Sequence, residues 1–502
     1  MTNTYDLFIV GGGINGIGVA RDASGRGLST YVCEQGDIAE QTSSRTTKLI
    51  HGGLRYLEYY DFRLVREALL ERERVMAIAP HLVQELRFVI PHKKGLRPAW
   101  MMRIGMMLYD HLAKRRWLRG AETIHMKQSS VGEPLQDWLD LAFVYSDCQT
   151  DDARLVILNA IDARERGAEI HTYTRFISAK RDGKEWIATV ENVKTGEKQD
   201  IRAKGIINTG GPWVSEVLHD RLHIDTSKHV RLVKGSHIVV KKMYEGEHAF
   251  FFQNPDGRLI FAIPYQDDFT LIGTTDEPYT EDPAKVEIAD SEITYMCDCM
   301  NSYFKKPISK EDVVWSFSGV RPLYDDAAKN ASAVTRDYVL DIESKADEPI
   351  LLSVFGGKIT TFRRLSEHVF EKLVPFIPGL KPSWTTNVPL PGGDMPNTDF
   401  KAFLKEARER WSFLSDFSVR RMAHSYGTRM ERFLKDAKTM DELGQDFGGG
   451  LTKAEVDYLV DQEWAETAED ILWRRSKMGL HVESVAQTAE ALTRYLEGRV
   501  KS

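Results

Sequence analysis

Asp6-Leu7-Phe8-Ile9-Val10-Gly11-Gly12-Gly13-Ile14-Asn15-Gly16-Ile17, continued through Leu28 to Glu34, is the stretch on which the fold turns. Leu7 to Val10 is continuously apolar, as in a strand covered on both faces. Ile14 to Arg26 then carries small and apolar residues at helical spacing until Gly27 stops it, and Leu28 to Cys33 supplies the next strand. The turn between strand and helix fits GxGxxG: Gly11 for the tight turn, Gly13 for backbone approach to a pyrophosphate, Gly16 for close helix packing. Asn15 lies inside the same turn and joins these glycines as a candidate cofactor contact. The helix N-terminus that follows favours negative charge, and Glu34, 18 residues after Gly16 (34 − 16), can accept from ribose hydroxyls. The segment therefore predicts an α/β chain with a Rossmann-like dinucleotide-binding domain. The motif alone does not choose among dinucleotides.

Outward from that unit, Asp61 to Ala79 reads as an amphipathic helix ended before Pro80, with Leu64, Ala68, Leu69 and Met76 toward one face. A second helix spans Asp151 to Arg166, capped by Asp151 and ended at Gly167, after which Ala168 to Tyr173 begins a region of alternating strands. Ser236 to Val240, Leu259 to Ile263 and Phe269 to Thr274 are short, β-branched or aromatic and separated by turn residues, which predicts an antiparallel sheet and a substrate domain. Pro391-Gly392-Gly393 punctuates the chain, and the sequence beyond is charged and helix-favouring, including Glu455 to Leu480. The expected layout has cofactor-binding parts at about 1–80, 145–230 and 335–390, interleaved with substrate parts at about 81–144 and 231–334, and a helical C-terminal cap domain at 391–502. No internal repeat or low-complexity tract interrupts it.

Composition narrows the function classes. A chain of 502 residues is expected to form two or three packed units. Lys+Arg 67 against Asp+Glu 74 gives a net charge of −7, without the basic field that nucleic-acid proteins use, so no nucleic-acid partner is expected. The four cysteines, Cys33, Cys148, Cys297 and Cys299, form no CxxC pair or disulfide framework, which points to a reduced compartment and to no metal site. Met1 to Tyr5 enters a strand without the features of a secretory signal, so a cytoplasmic location is expected. No run of 18 apolar residues occurs, which leaves a soluble or monotopic chain. Trp100, Ile104, Met107 and Leu108 fall at i, i+4, i+7 and i+8, with Arg103 nearby and Lys114, Arg115, Arg116 and Trp117 just beyond. Such a stripe more commonly faces a core; the competing reading is a surface helix dipping into anionic lipid.

Two distant segments favour a flavin dinucleotide. Ile206-Ile207-Asn208-Thr209-Gly210-Gly211-Pro212-Trp213 is an apolar strand ending in small residues, suited either to backbone passage beside a long ligand near Gly210 or to a plain strand-turn. Phe355-Gly356-Gly357-Lys358-Ile359-Thr360-Thr361 leads into a helical stretch, where N–H groups after Gly356 and Gly357 can meet the pyrimidine edge of a flavin, or the glycines simply start a helix.

With these segments, Thr42-Ser43-Ser44-Arg45-Thr46-Thr47-Lys48-Leu49-Ile50-His51-Gly52-Gly53-Leu54-Arg55-Tyr56-Leu57 and Ser318-Gly319-Val320-Arg321-Pro322-Leu323 carry a strong resemblance to the FAD-dependent, quinone-linked glycerol-3-phosphate dehydrogenases. Lys234-Gly235-Ser236-His237 and Ile272-Gly273-Thr274-Thr275-Asp276 support it, and the match covers essentially the whole chain. The resemblance implies an FAD domain of the glutathione-reductase/D-amino-acid-oxidase type with a mixed antiparallel substrate sheet and a helical C-terminal domain. It also implies oxidation of sn-glycerol 3-phosphate to dihydroxyacetone phosphate, a membrane quinone as acceptor, and peripheral attachment to the inner face of the cell membrane. A homodimer is a further candidate assembly.

The site residues carried over are Arg55, Tyr56 and Arg336 for the phosphate, since arginine's planar fork suits two phosphate oxygens and Tyr adds a hydroxyl. Arg336 has the alternative of pairing with Asp337 or Asp341 on the surface. Arg321, held extended by Pro322, and Lys358 are expected near the C2 oxygen as the catalytic cations, with Lys358 also touching the cofactor. His51 is the candidate proton acceptor, beside the alternatives of water or a depressed Lys358, while His237 is expected to be structural. Ser43, Ser44 and Lys48 are expected at cofactor oxygens, or else as turn formers. A glycerol-3-phosphate oxidase using oxygen and a non-catalytic FAD-binding regulatory protein are the competing functions; an amino-acid oxidase fits the three arginines less well.

Overall fold

The computed structural model describes residues 4–93, 98–254, 256–325, 337–344 and 348–500. Its first layer is an eight-stranded sheet in which the opening segment is central: β1 (Tyr5–Val10) lies between β2 (Thr30–Cys33) and the strand Lys198–Asn208, parallel to both. Ile350–Phe355 extends the parallel set beyond Lys198–Asn208, and Glu169–His171 beyond β2. The apolar run of β1 is explained by this position: α1 (Ile14–Gly25) and its neighbours cover one face, and Phe8 and Val10 pack with Phe176, Trp186 and Leu351 on the other. Leu7, Phe8 and Ile9 are wholly buried.

α2 (Phe62–Ile78) is capped by Asp61, whose carboxylate accepts from the Leu64 N–H at 3.2 Å. α3 (Ala99–His111) follows, and then α4 (Asp152–Glu165), capped by the Asp151 carboxylate through the Arg154 N–H. α4 is buried along almost its whole length, because α1 lies on one side and the C-terminal helices on another.

The second sheet has ten strands. Val230–Lys241 pairs antiparallel with Phe269–Gly273 and along its length with Val313–Tyr324, setting Arg321 opposite Val233 and Gly319 opposite Gly235. One junction, Ala249–Gln253 beside Gln84–Pro91, is parallel, so the sheet is mixed. Leu49–Ile50 and Leu141–Gln149 also belong to this sheet, although the interleaving expected for residues up to 80 and from 145 put part of them with the cofactor layer. Past Pro396 the described chain is helical, with Phe400–Arg410, Asp416–Tyr426, Lys453–Glu463 and Val485–Val500 around a separate core of Trp411, Met422, Tyr426, Leu459 and Ile471.

α3 departs from the commoner reading of its stripe. Trp100 and Met107 are each 60% exposed and Ile104 52%, while the same helix buries Met106 and Tyr109. Periodicity identified an apolar face; the helix turns a different one inward. No described helix is long and apolar enough to cross a membrane.

Candidate active site

A single cavity of about 840 Å³ runs between the two sheets, lined by the opening glycine turn at one part and by Arg55, Tyr56, Arg321 and Lys358 at another. At the turn, Gly11 has φ 107°, where an L side chain is strained, and a Cβ on it would lie 2.7 Å from the Thr209 carbonyl oxygen. A Cβ on Gly16 would lie 2.0 Å from the Gly11 carbonyl oxygen, so α1 can approach the strand end only with glycine there. Gly16 therefore acts by packing and does not itself line the cavity. Ile14 N–H donates to Ser43 Oγ at 3.0 Å, and no acid occupies the first turn of α1, so its positive end faces the cavity.

Glu34 accepts from the Gly12 N–H at 2.6 Å and the Gly36 N–H at 2.9 Å. Burial pushes its pKa up to about 7 against the pull of those two amides. Asn15 donates from Nδ2 to the Gly356 carbonyl at 3.1 Å, and its buried Oδ1 has no protein partner. A glycine cradle, a helix N-terminus facing the cavity, a cavity-facing acid at the end of β2 and an unsatisfied amide oxygen together fit a dinucleotide with a second ring system near Gly356 and Gly357. Gly210, Gly13, Gly356, Gly357 and Ser43 line this part of the cavity.

The cationic part is built from three separate segments. Arg321 extends from its strand to Asp276 Oδ1 at 2.8 Å and Thr274 Oγ1 at 2.9 Å, so a buried-edge carboxylate and a hydroxyl aim the guanidinium. Lys358 Nζ stands 4.0 Å from the Tyr56 ring centroid, a cation–π contact that fixes an otherwise flexible ammonium. Arg55 donates to the Gly257 carbonyl at 3.3 Å. His51 lines the same cavity, and its backbone N–H donates to Thr360 Oγ1 at 3.3 Å. Burial lowers the His51 pKa, with Lys358 and Arg72 adding to the fall and Asp147 opposing it, so the imidazole is neutral at pH 7.

Two expected cofactor contacts lie elsewhere. Lys48 is almost fully buried with its ammonium 2.7 Å from the Asp152 carboxylate and 3.0 Å from the Ser44 carbonyl oxygen, behind the cavity wall. A buried lysine keeps its charge only beside such a partner, and the acid at the start of α4 was too distant in sequence to suggest it. Ser44 turns its hydroxyl to the carbonyls of Glu40 and Gln41 at 3.3 and 3.4 Å, which is the turn-forming alternative. Arg336 lies outside the described residues; Asp337, one of its alternative partners, pairs with Arg63, and Asp341, the other, pairs with Lys228. Sequence reasoning missed Arg45, Arg221 and Arg258, all lining the cavity. Arg45 sits inside the quoted Thr42 to Leu57 motif, a signal that was available; isolated Arg221 and Arg258 offered none. His237 also lines the cavity, with Nε2 3.0 Å from Thr47 Oγ1, its ring stacked on Phe317 and its buried Nδ1 unpartnered.

The family model described as FAD dependent oxidoreductase matches residues 6–340, and the one described as C-terminal domain of alpha-glycerophosphate oxidase matches residues 383–501. A glycerol-3-phosphate dehydrogenase of Pseudomonas aeruginosa is 50% identical over 497 residues, covering 99% of this chain and 96% of that protein. A D-erythritol 1-phosphate dehydrogenase of Brucella abortus is 49% identical over 486 residues, covering 97% of each. Among solved structures, the glycerol-3-phosphate dehydrogenase from Bacillus halodurans complexed with FAD superposes with a TM-score of 0.79 at 27% identity, over 99% of this chain and 91% of that one.

Proposed function

The chain belongs to the FAD-dependent oxidoreductases that carry the C-terminal domain of alpha-glycerophosphate oxidase, and from that membership and its site we propose that it oxidises sn-glycerol 3-phosphate to dihydroxyacetone phosphate, passing the electrons to a membrane quinone. The observation that carries the reading is the convergence of the dinucleotide cradle with Arg55, Tyr56, Arg321 and Lys358 on one cavity. FAD, when held by the glycine turn, Glu34 and the Gly356–Gly357 backbone, would supply the two-electron acceptor for the hydride lost from C2. The protein's own residues do the rest. Arg55 and Tyr56 hold the phosphate dianion by charge-assisted hydrogen bonds and so orient the substrate in the cavity. Arg321, aimed by Asp276 and Thr274, and Lys358 stabilise negative charge developing on the C2 oxygen. Neutral His51 accepts the hydroxyl proton, a role that its lowered pKa allows down to mildly acidic pH.

Anaerobic addition of sn-glycerol 3-phosphate to the holoprotein is expected to bleach the flavin band near ~450 nm; a folded holoprotein that does not bleach overturns the reading and favours a regulatory FAD protein. A four-carbon polyol phosphate is the second reading, because a relative of similar identity is named D-erythritol 1-phosphate dehydrogenase. Parallel titration with erythritol phosphate ranks the two by bleaching rate. Quinone reduction without peroxide is the expected outcome of the oxidative half-reaction; peroxide as the main product identifies an oxidase.

Attachment to the membrane surface is proposed through α3. Its exposed Trp100, Met101, Ile104, Met107 and Leu108, followed by Lys114, Arg115 and Arg116 and the exposed Trp117, support a helix lying at an anionic lipid interface.

A further inference from the structure

Behind the cavity, and outside its lining, one backbone amide, that of Gly52, and two side chains from separate helices, Arg72 and Tyr109, converge on the Asp147 carboxylate. Asp147 on the strand Leu141–Gln149 accepts from the Gly52 N–H at 3.2 Å. The same carboxylate accepts from Arg72 Nη1 of α2 at 2.5 Å, and from the Tyr109 hydroxyl of α3 at 2.9 Å on each oxygen. Arg72 also donates to the Ser146 carbonyl at 2.8 Å. Asp147 is 1% exposed and Arg72 and Tyr109 2% each, so no water competes for these contacts. A Cβ on Gly52 would stand 2.5 Å from the Tyr109 oxygen and 2.4 Å from Leu69, so the loop is pressed directly against the cluster. Gly52 separates His51 from the turn that leads to Arg55 and Tyr56.

We propose that Asp147, locked by Arg72 and Tyr109, is the positioning residue of this loop: by holding the Gly52 amide it sets where the His51 imidazole and the Arg55 and Tyr56 side chains meet the substrate. The inference rests on the reading of His51 as proton acceptor. It has a physical corollary. The charged groups bearing on His51 are Asp147, Lys358 and Arg72, and of these only Asp147 favours the protonated imidazole. Removing its charge while keeping its shape leaves the Arg72 guanidinium beside the loop with only the longer contact to Glu73, at 3.9 Å, as counter-ion, and both changes make His51 a weaker base.

The test uses FAD-loaded full-length protein and stopped-flow bleaching by sn-glycerol 3-phosphate without oxygen, measured across pH. Asp147→Asn is expected to slow bleaching at saturating substrate about 10- to 100-fold, with the acid limb of the rate profile moved to lower pH. Tyr109→Phe keeps the charge and removes one anchor, so the rate falls by less and the limb stays in place. His51→Asn removes the limb. An Asp147→Asn holoprotein with wild-type rate and limb overturns the positioning role. So does a fall in melting temperature with rate and limb unmoved, the result of a purely structural cluster. If Asp147→Asn does not retain flavin, Tyr109→Phe decides: an unaltered rate overturns the proposal, a slowed one supports it. A limb that survives in His51→Asn overturns the proton-acceptor assignment instead, and loop positioning then stands on the rate losses of Asp147→Asn and Tyr109→Phe.

Discussion

Lys358 shows how a single side chain is prepared for its work. Its ammonium rests on the face of Tyr56, so the groups proposed for phosphate binding and for charge stabilisation at C2 share one support. Lys358→Met preserves length and removes the charge. Flavin reduction is expected to slow about 10²- to 10³-fold with FAD retained, as read by anaerobic bleaching; loss of flavin with an unimpaired rate in the remaining holoprotein contradicts the assignment. At this scale the sequence is most readable where backbone itself touches a ligand. Gly11 and Gly16 are written as glycine because a Cβ would strike the Thr209 and Gly11 carbonyls, and that exclusion survives any tertiary context. Lys48 is the counter-case: a lysine within a serine and threonine loop reads as a ligand contact until the fold brings Asp152 to it. Arg221 and Arg258 were illegible for the same reason, since nothing near them in sequence marks what they face.

Among the elements, α3 joins two surfaces with different chemistry. Tyr109 faces inward to Asp147, while Trp100, Ile104 and Met107 face outward. Spacing established that the helix has an apolar face, but periodicity carries no information about which neighbour covers it, and that half of the reading was decided by packing. The pair Trp100→Asp and Ile104→Asp withdraws two half-exposed side chains from the proposed lipid contact, worth about 2–3 kcal/mol together and so roughly 30- to 150-fold in partition. Sedimentation with anionic vesicles should show that loss, while bleaching of the detergent-free protein by glycerol phosphate stays at the wild-type rate. Equal vesicle binding by both proteins would remove α3 from the interface.

On the scale of the whole molecule, the C-terminal helices are joined to the cofactor layer by buried ion pairs. Arg475 meets both Asp37 oxygens at 2.7 Å, Arg474 reaches Asp37 at 2.6 Å, and Arg154 of α4 pairs with Glu463. Breaking one partner of such a pair strands a charge, so Asp37→Ala, which takes from the wholly buried Arg475 guanidinium the carboxylate it donates to, is expected to cost about 3–5 kcal/mol, visible as a lower melting temperature and faster loss of flavin on dilution. His81 lies in the same contact, fully buried, between Gly392 and Gly427, with neither ring nitrogen bonded. Burial drives its pKa down to about 3, with Arg154 and His424 adding to the fall. The unfolded chain binds that proton near the ordinary value of 6.5, so the contact is fully stable above it and loses about 1.4 kcal/mol per pH unit as pH falls toward 3. His81→Gln should flatten the acid side of a melting-temperature profile; an unchanged slope would show that other groups govern it. The helical character of this region was legible from composition, but its attachment was not, because the arginines and Asp37 stand more than four hundred positions apart.

That separation has a consequence for how the protein comes into being. Asp37 follows Glu34 in the loop after β2, yet its counter-ions Arg474 and Arg475 are added more than four hundred residues later. A nascent chain emerging at about 5–20 residues per second displays the complete glycine turn early and must add more than four hundred further residues before the ion pairs of the loop beside it can form. Durable capture of FAD is thus expected only once the segment carrying Arg474 and Arg475 has been made, and a chain cut before Arg474 should carry the glycine signature without keeping the flavin.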